Sequence, residues 1–437
     1  MLPAASRPPL APPSAAQAAS GDLLVPVLFA VLMLAAAAPL LAAPVAPLAD
    51  YVNHLARMHV IAALDGDAIL QRVYTVDWQA VPNLAMDLLV PPLARHLDLY
   101  LAGRLFLVAV VLVLAGGPLA LHHALYGRLS PWPLVAAPLV YNGIFLFGFV
   151  NYLLGIGVGL WGVALWIVLR ERPAPLRAVA SAVVVVALFF CHLFAVGLYG
   201  LALLAVEAER LRRPPAARPA FTPGDAAAFA LPFLPALGLL ALSPTLGLAT
   251  EVVWEGAGKL EGLLYAVSTY GGPGDAAVLG GLAGGGVWAA RRGWLRLHPA
   301  GLVLLVIGAA VYLAMPRMLF GSWLADQRLP VALLFLLVGF ARLDLPDRAA
   351  RYGFCALLLA VSAVRFGDVA VVWRSLDADA AELRRSVTLL DGGARVLVAH
   401  ADARGDGPAD DALTHMPCVA VIERSALVST LFSVPGK

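Results

Sequence analysis

Apolar runs of about 20 residues alternate with short polar turns along most of this chain, the length a helix needs to cross a bilayer. Eleven such runs are read near 23–47, 101–125, 131–148, 150–169, 178–191, 192–209, 226–247, 275–290, 299–315, 329–341 and 352–372. The stretch 178–209 is barely long enough for two spans, and two readings fit it: helices that break at Cys191-His192 without crossing completely, or a single long tilted helix that would reverse every later assignment. The pattern predicts an all-α polytopic membrane protein of about 11 transmembrane helices, with residues 22–372 as the membrane domain. Residues 1–21, rich in Pro, Ala and Ser with Arg7 the one charge, read as a disordered cytoplasmic tail. The apolar run after that tail suits a retained first helix better than a cleaved signal.

Three polar-apolar mixtures interrupt the rhythm. Residues 49–100 separate the first two runs by far more than the usual ~4–6 residues. Leu55, Met58, Ile61 and Leu64 are spaced there as on an amphipathic helix lying along the interface. Asp65-Gly66-Asp67 reads as a turn. Residues 248–274 carry Trp254, Tyr265 and Tyr270. Residues 373–437 predict a small C-terminal α/β domain, with a helix at 377–390 and short strands at 395–399 and 418–422, either packed against the loops or independent of them.

Composition agrees with lipid as the solvent: of 437 residues 61% are hydrophobic and 13% charged, against about 25% charged in soluble domains. A net charge of +2 with no basic run interleaved with aromatics gives no sign of a nucleic-acid partner. Charge does orient the helices. With the N-terminus inside, every inner turn carries arginine: Arg128; Arg170, Arg172 and Arg177; Arg210, Arg212, Arg213 and Arg218; Arg291, Arg292 and Arg296; Arg342, Arg348 and Arg351. That is the positive-inside pattern, and it sets the three elaborated segments and the C-terminus outside. The acidic residues, Glu251 among them, fall mostly in the outer loops. Heavy Ala, Leu, Arg, Gly and Pro usage points to a GC-rich bacterial genome, making the location an inner membrane with a periplasmic C-terminus.

Candidate chemistry starts where the first run ends. In Asp50-Tyr51-Val52-Asn53-His54-Leu55-Ala56-Arg57, Asp50 and His54 stand four apart on one helix face, with Asn53 and Arg57 adjoining. Such a group suits a divalent ion, a phosphate or an acceptor hydroxyl awaiting deprotonation; it also suits an interfacial helix start with Asp50 as N-cap. Asn151 sits in an outer turn between spans, and His192 lies at membrane depth, where an ionisable group faces a cavity or a partner. Arg317, Asp326 and Arg328 place two guanidinium groups in a short outer loop, against the usual charge bias, and an arginine fork fits phosphate. His400, His415 and Cys418 match no common metal spacing, and no nucleotide-binding motif occurs in a credible setting.

A first outer loop that opens on an acidic residue and continues as an interfacial helix, within a many-helix protein ending in a small soluble domain, resembles the GT-C superfamily of integral membrane glycosyltransferases. The resemblance is architectural and spans the chain. It implies transfer of a sugar from a polyprenyl-phosphate carrier to an envelope glycan, lipid or protein acceptor on the outer face, within surrounding membrane lipids. It places the catalytic base, or a divalent metal held by Asp50 and His54, at Asp50, and the carrier phosphate at Arg328 or Arg317. Where many members show two neighbouring acids, this chain has Asp50 with Asn53 and His54. Two other classes fit the same pattern: a polytopic transporter or flippase, and a catalytically silent GT-C-like scaffold in envelope polysaccharide assembly. Few charges within the spans and no internal repeat weigh against transport.

Overall fold

A computed structural model describes residues 23–214, 221–248, 252–399 and 411–433. The expected tail at 1–21, together with Arg218, Glu251 and His400, lies outside the described residues. The described chain is mostly helical, with only short paired strands. Among the described residues six helices are long and apolar enough to cross a membrane: Leu24–Ala42, Leu99–Tyr126, Val150–Glu171, Ala174–Cys191, Pro223–Leu242 and Arg348–Val387. Their outer faces carry exposed Val27, Leu34, Val183, Leu237, Leu242, Leu357 and Val371, a surface that needs lipid against it. Leu193–Arg212, Pro299–Ala314 and Ala325–Phe340 complete the bundle.

Two runs turn out segmented for reasons written in their prolines and glycines. Pro232 splits 226–247 into Pro223–Ala230 and Leu234–Leu242, and the Gly-rich stretch Gly280–Gly285 winds as a π-helix between Pro273–Leu279 and Gly286–Arg291. The chain does break at His192, whose extended backbone separates Ala174–Cys191 from Leu193–Arg212.

The expectation of an α-helical span at 131–148 is corrected. Pro131, Pro133 and Pro138 remove amide donors and crowd the preceding carbonyls, so Trp132–Leu139 is a 3₁₀-helix, followed by the four-residue helix Gly143–Leu146. Irregular backbone at such depth survives only inside protein, and Ala136, Leu139, Tyr141 and Phe145 are fully buried. The loose carbonyls are met by Arg365, itself fully buried, whose Nε and Nη2 donate to the oxygens of Pro138 and Tyr141 at 3.0 Å each. Asp275 balances its charge.

The last helix, Arg348–Val387, runs 40 residues, about 60 Å at 1.5 Å per residue, twice a hydrocarbon core of ~30 Å. The helix expected at 377–390 is therefore its continuation and not a separate element. Its far end shares one core with the first loop and the C-terminal segment: Val52, Ala56, Val60 and Leu70 from the first loop pack with Ala380, Val387, Met416, Val419, Val421 and Val428. The segment after 373 is thus built onto the first loop. Within it, 418–422 is not a strand: Val419–Arg424 is helical, and the strand that pairs with Arg395–Val396, in parallel, is Leu427–Val428. That cover also changes the first-loop helix, Tyr51–Ala63. It is buried on nearly all sides and does not lie open at an interface.

The arginine-bearing turns are tied to one another. Arg128 meets Asp344 at 2.6 Å, Arg177 meets Asp225 at 2.5 Å, and Leu295–Leu297 pairs antiparallel with Ala341–Leu343. The opposite turns converge on a cavity.

Candidate active site

A cavity of about 990 Å³ opens where the first loop, the 143–152 turn, the break at His192, the 317–328 segment and the C-terminal segment meet. Seven of the nine residues singled out in the sequence line it: Asp50, His54, Arg57, Asn151, His192, Arg317 and Arg328. Asn53 and Asp326 do not. Asn53 turns its amide to the C-terminal segment. Asp326 is fully buried and pairs with Lys259 at 2.8 Å.

Asp50 occupies the N-cap position of Tyr51–Ala63, yet its side chain makes no capping bond, so the interfacial-cap reading is not what holds it. Its place is set by backbone. Ala49 N donates to Leu146 O at 3.0 Å and Asp50 N to Phe147 O at 3.1 Å. The broken 131–148 segment thereby becomes the cradle of the carboxylate. Gly148 closes that cradle at φ +87°, and a Cβ there would stand 2.8 Å from Asp50 N and 3.0 Å from Asp50 Cβ. Gly148→Ala is expected to push Asp50 out of register, lowering turnover about 10²-fold in a protein that still elutes as a single species. Initial rates beside size-exclusion profiles check this.

The Asp50 side chain is 23% exposed and lines the cavity. Burial is the main force on it and lifts its pKa from 3.8 to about 7; the Arg328 guanidinium draws it down and the Asp411 carboxylate pushes it up. A carboxylate so placed is a competent base near neutrality.

The guanidinium groups divide by their company. Arg57 forms a buried two-pronged pair with Asp87, Nε to Oδ1 and Nη2 to Oδ2 at 2.7 Å each. Its fork is taken, which makes it a clamp between the first-loop helix and Ala85–Ala94. Arg317 is held by Glu255 at 2.7 Å and Glu261 at 3.4 Å. Arg328 differs. It is buried, its plane lies 3.8 Å over the Phe149 ring, and it bonds His192 Nε2 at 3.0 Å and Trp323 O at 2.7 Å. Among the described residues no carboxylate reaches salt-bridge distance of it, and its Nε has no hydrogen-bond partner. A buried cation short of counter-charge favours an anion beside it. His192 and Phe149 orient it.

Asn151 is spent on structure. Its Oδ1 accepts from Met86 N at 2.9 Å and its Nδ2 donates to Asn83 O and Oδ1 at 3.1 and 2.9 Å, pinning the 82–87 stretch to the cavity wall. Among the described residues no three His, Cys, Asp or Glu side chains gather as a metal-ligand set, and the cation that draws the Asp50 pKa down is Arg328. The pair Asp50 and His54 does not by itself fit a resident divalent ion, and no step below uses one.

Sequence reasoning missed the cavity's contribution from the C-terminal segment: Asp411, Thr414 and Phe432 were not singled out, and His415 was met only as a metal-ligand candidate. His415 stands 3.6 Å from Asp50. No local pattern could have paired residues more than 360 positions apart. No protein family, curated protein or solved structure matches this chain.

Proposed function

We propose that this protein is a GT-C-like membrane glycosyltransferase moving a sugar from a polyprenyl-phosphate carrier to an envelope acceptor. One observation carries the reading: a carboxyl raised to about 7 and a buried guanidinium without a carboxylate partner face the same cavity. These are the two groups such a transfer requires. Asp50 takes the proton of the acceptor hydroxyl as its oxygen bonds to the sugar's anomeric carbon. The bond from that carbon to the phosphate oxygen breaks with inversion, and Arg328 stabilises the charge gathering on the departing phosphate. Volume supports the reading, since about 990 Å³ is at the top of the range for small-ligand sites.

The proposed topology has the N-terminus cytoplasmic, eleven crossings with 131–148 traversing as buried irregular chain, and the cavity with the C-terminal segment on the periplasmic side of a bacterial inner membrane. Its support is the sorting of turns: the arginine-bearing ones tie together, and the others converge on the cavity. The test is reconstitution in liposomes with a radiolabelled polyprenyl-phosphate hexose and a panel of envelope lipids and glycans. Release of polyprenyl phosphate with label on a new covalent product is expected, and it should persist in EDTA. Protein-dependent flux of the lipid without covalent product would replace this reading with transport.

A further inference from the structure

The C-terminal segment does more than roof the cavity. Asn53, fully buried, reaches it through three bonds. Its Oδ1 accepts from the Phe432 backbone N at 2.7 Å, and its Nδ2 donates to the Thr430 carbonyl at 2.6 Å. A backbone amide only donates and a carbonyl only accepts, so these two partners fix which end of the Asn53 amide is oxygen. The remaining hydrogen on Nδ2 then belongs to the third contact, His415 Nδ1 at 3.0 Å. A nitrogen that receives a hydrogen bond carries a lone pair, so the ring's single proton sits on Nε2. Nε2 stands 3.6 Å from Asp50 Oδ1, long for a hydrogen bond but typical of catalytic contacts that tighten once substrate is bound. Phe432, edge-on to His415 at 4.9 Å and to His54 at 5.5 Å, keeps the ring from tilting away.

We propose that His415 is a positioning residue for Asp50: Asn53 holds its ring as the Nε2–H tautomer and aims that N–H at Asp50 Oδ1. Tightened to a hydrogen bond in the substrate complex, this contact engages Oδ1 and favours the ionised carboxylate against its burial, leaving Oδ2 to take the acceptor proton. The kinetic consequence rests on the transferase reading above; the tautomer does not.

Two measurements therefore separate the failures. In full-length protein labelled with ¹⁵N-histidine and held in nanodiscs, the His415 signals, identified by their loss in His415→Gln, should show an unprotonated Nδ1 and a protonated Nε2. Asn53→Leu should release the ring to a mixture of tautomers. An Nδ1–H ring or a freely exchanging mixture in the native protein overturns the proposal, whether or not the Asn53 variant folds. For turnover of a radiolabelled polyprenyl-phosphate glucose, two substitutions divide the ring's functions. Glutamine sets an N–H₂ near the Nε2 position, whereas asparagine mimics only the Nδ1 side. His415→Asn is expected to lower kcat about tenfold with KM within about twofold, and His415→Gln to stay within about threefold of native. The reverse ranking would show that His415 merely anchors the segment, and would overturn the proposal. A native protein that turns over no glycosyl lipid sinks the transferase reading instead, while the tautomer measurement still decides the arrangement.

Discussion

Asp50→Asn is expected to lose turnover by about 10²–10⁴-fold, the usual worth of a general base, and yet to melt at a higher temperature than the native protein at pH 8. Both effects come from one cause. Burial raises the carboxyl pKa from 3.8 to about 7, so folding favours its protonated form. The favourable contribution is complete below about pH 4, drains away as pH rises toward 7, and leaves the ionised group a burden above that. At ~1.4 kcal/mol per pKa unit the burden is at most about 4 kcal/mol, and water reaching the cavity-facing oxygen brings it nearer ~2. An isosteric amide carries no such charge. The melting difference between variant and native should thus be small near pH 4, widen up to pH 7 and hold constant beyond, as thermal-shift curves in one detergent across pH 4–9 would show. The native rate should rise over the same window, with kcat/KM reaching its plateau above about pH 7. A fully active variant would remove Asp50 from the mechanism; one that melts lower at pH 8 would mean that burial does not govern this carboxylate.

The hydrophobic rhythm located helical chain at each expected span but 131–148, and the reason for that exception lies in what hydropathy ignores. Apolar side chains say that a segment belongs out of water; they do not say whether its backbone can bond to itself. Pro131, Pro133 and Pro138 answer that in the negative, and Arg365 supplies donors the 3₁₀ geometry leaves wanting. The candidate site was legible to the extent that its members end apolar runs. Asp50, His192 and Arg328 all stand where a crossing stops, and ionisable groups are rare there without purpose. Arg57 and Asn151 also line the cavity, but their bonds go to Asp87, Asn83 and Met86, partners no spacing rule could assign. Least legible was the closing of the site by the last residues of the chain. It depends on the overlong final helix carrying them back to the first loop, and on Val52, Ala56 and Val60 facing a core instead of lipid.

Arg328 sets the other large effect. Arg328→Gln is expected to lower kcat/KM about 10²–10³-fold, as for other donors aimed at charge that develops in the transition state. It should also weaken binding of polyprenyl monophosphate, the product, by a comparable factor. Folding should suffer little, because no carboxylate among the described residues lies at salt-bridge distance of the lost charge, and relief of its desolvation offsets the weakened attraction to Asp50. Arg328→Lys should recover only part of the binding, since an ammonium cannot present two parallel N–H bonds or stack flat on Phe149. Arg317→Gln is expected to behave differently: it strips the counter-charge from Glu255 and Glu261, so it lowers the melting temperature more than the affinity for phosphate. A further shift ties the two groups together. The Arg328 guanidinium lowers the Asp50 pKa, so in Arg328→Gln that pKa must rise, and the midpoint of the residual pH–rate profile should move to the alkaline side of about 7. Calorimetric titration with a polyprenyl monophosphate and rate profiles of the variant are the checks. Unchanged phosphate affinity would place the carrier elsewhere, and an unmoved midpoint would mean that the two groups do not face each other across the cavity.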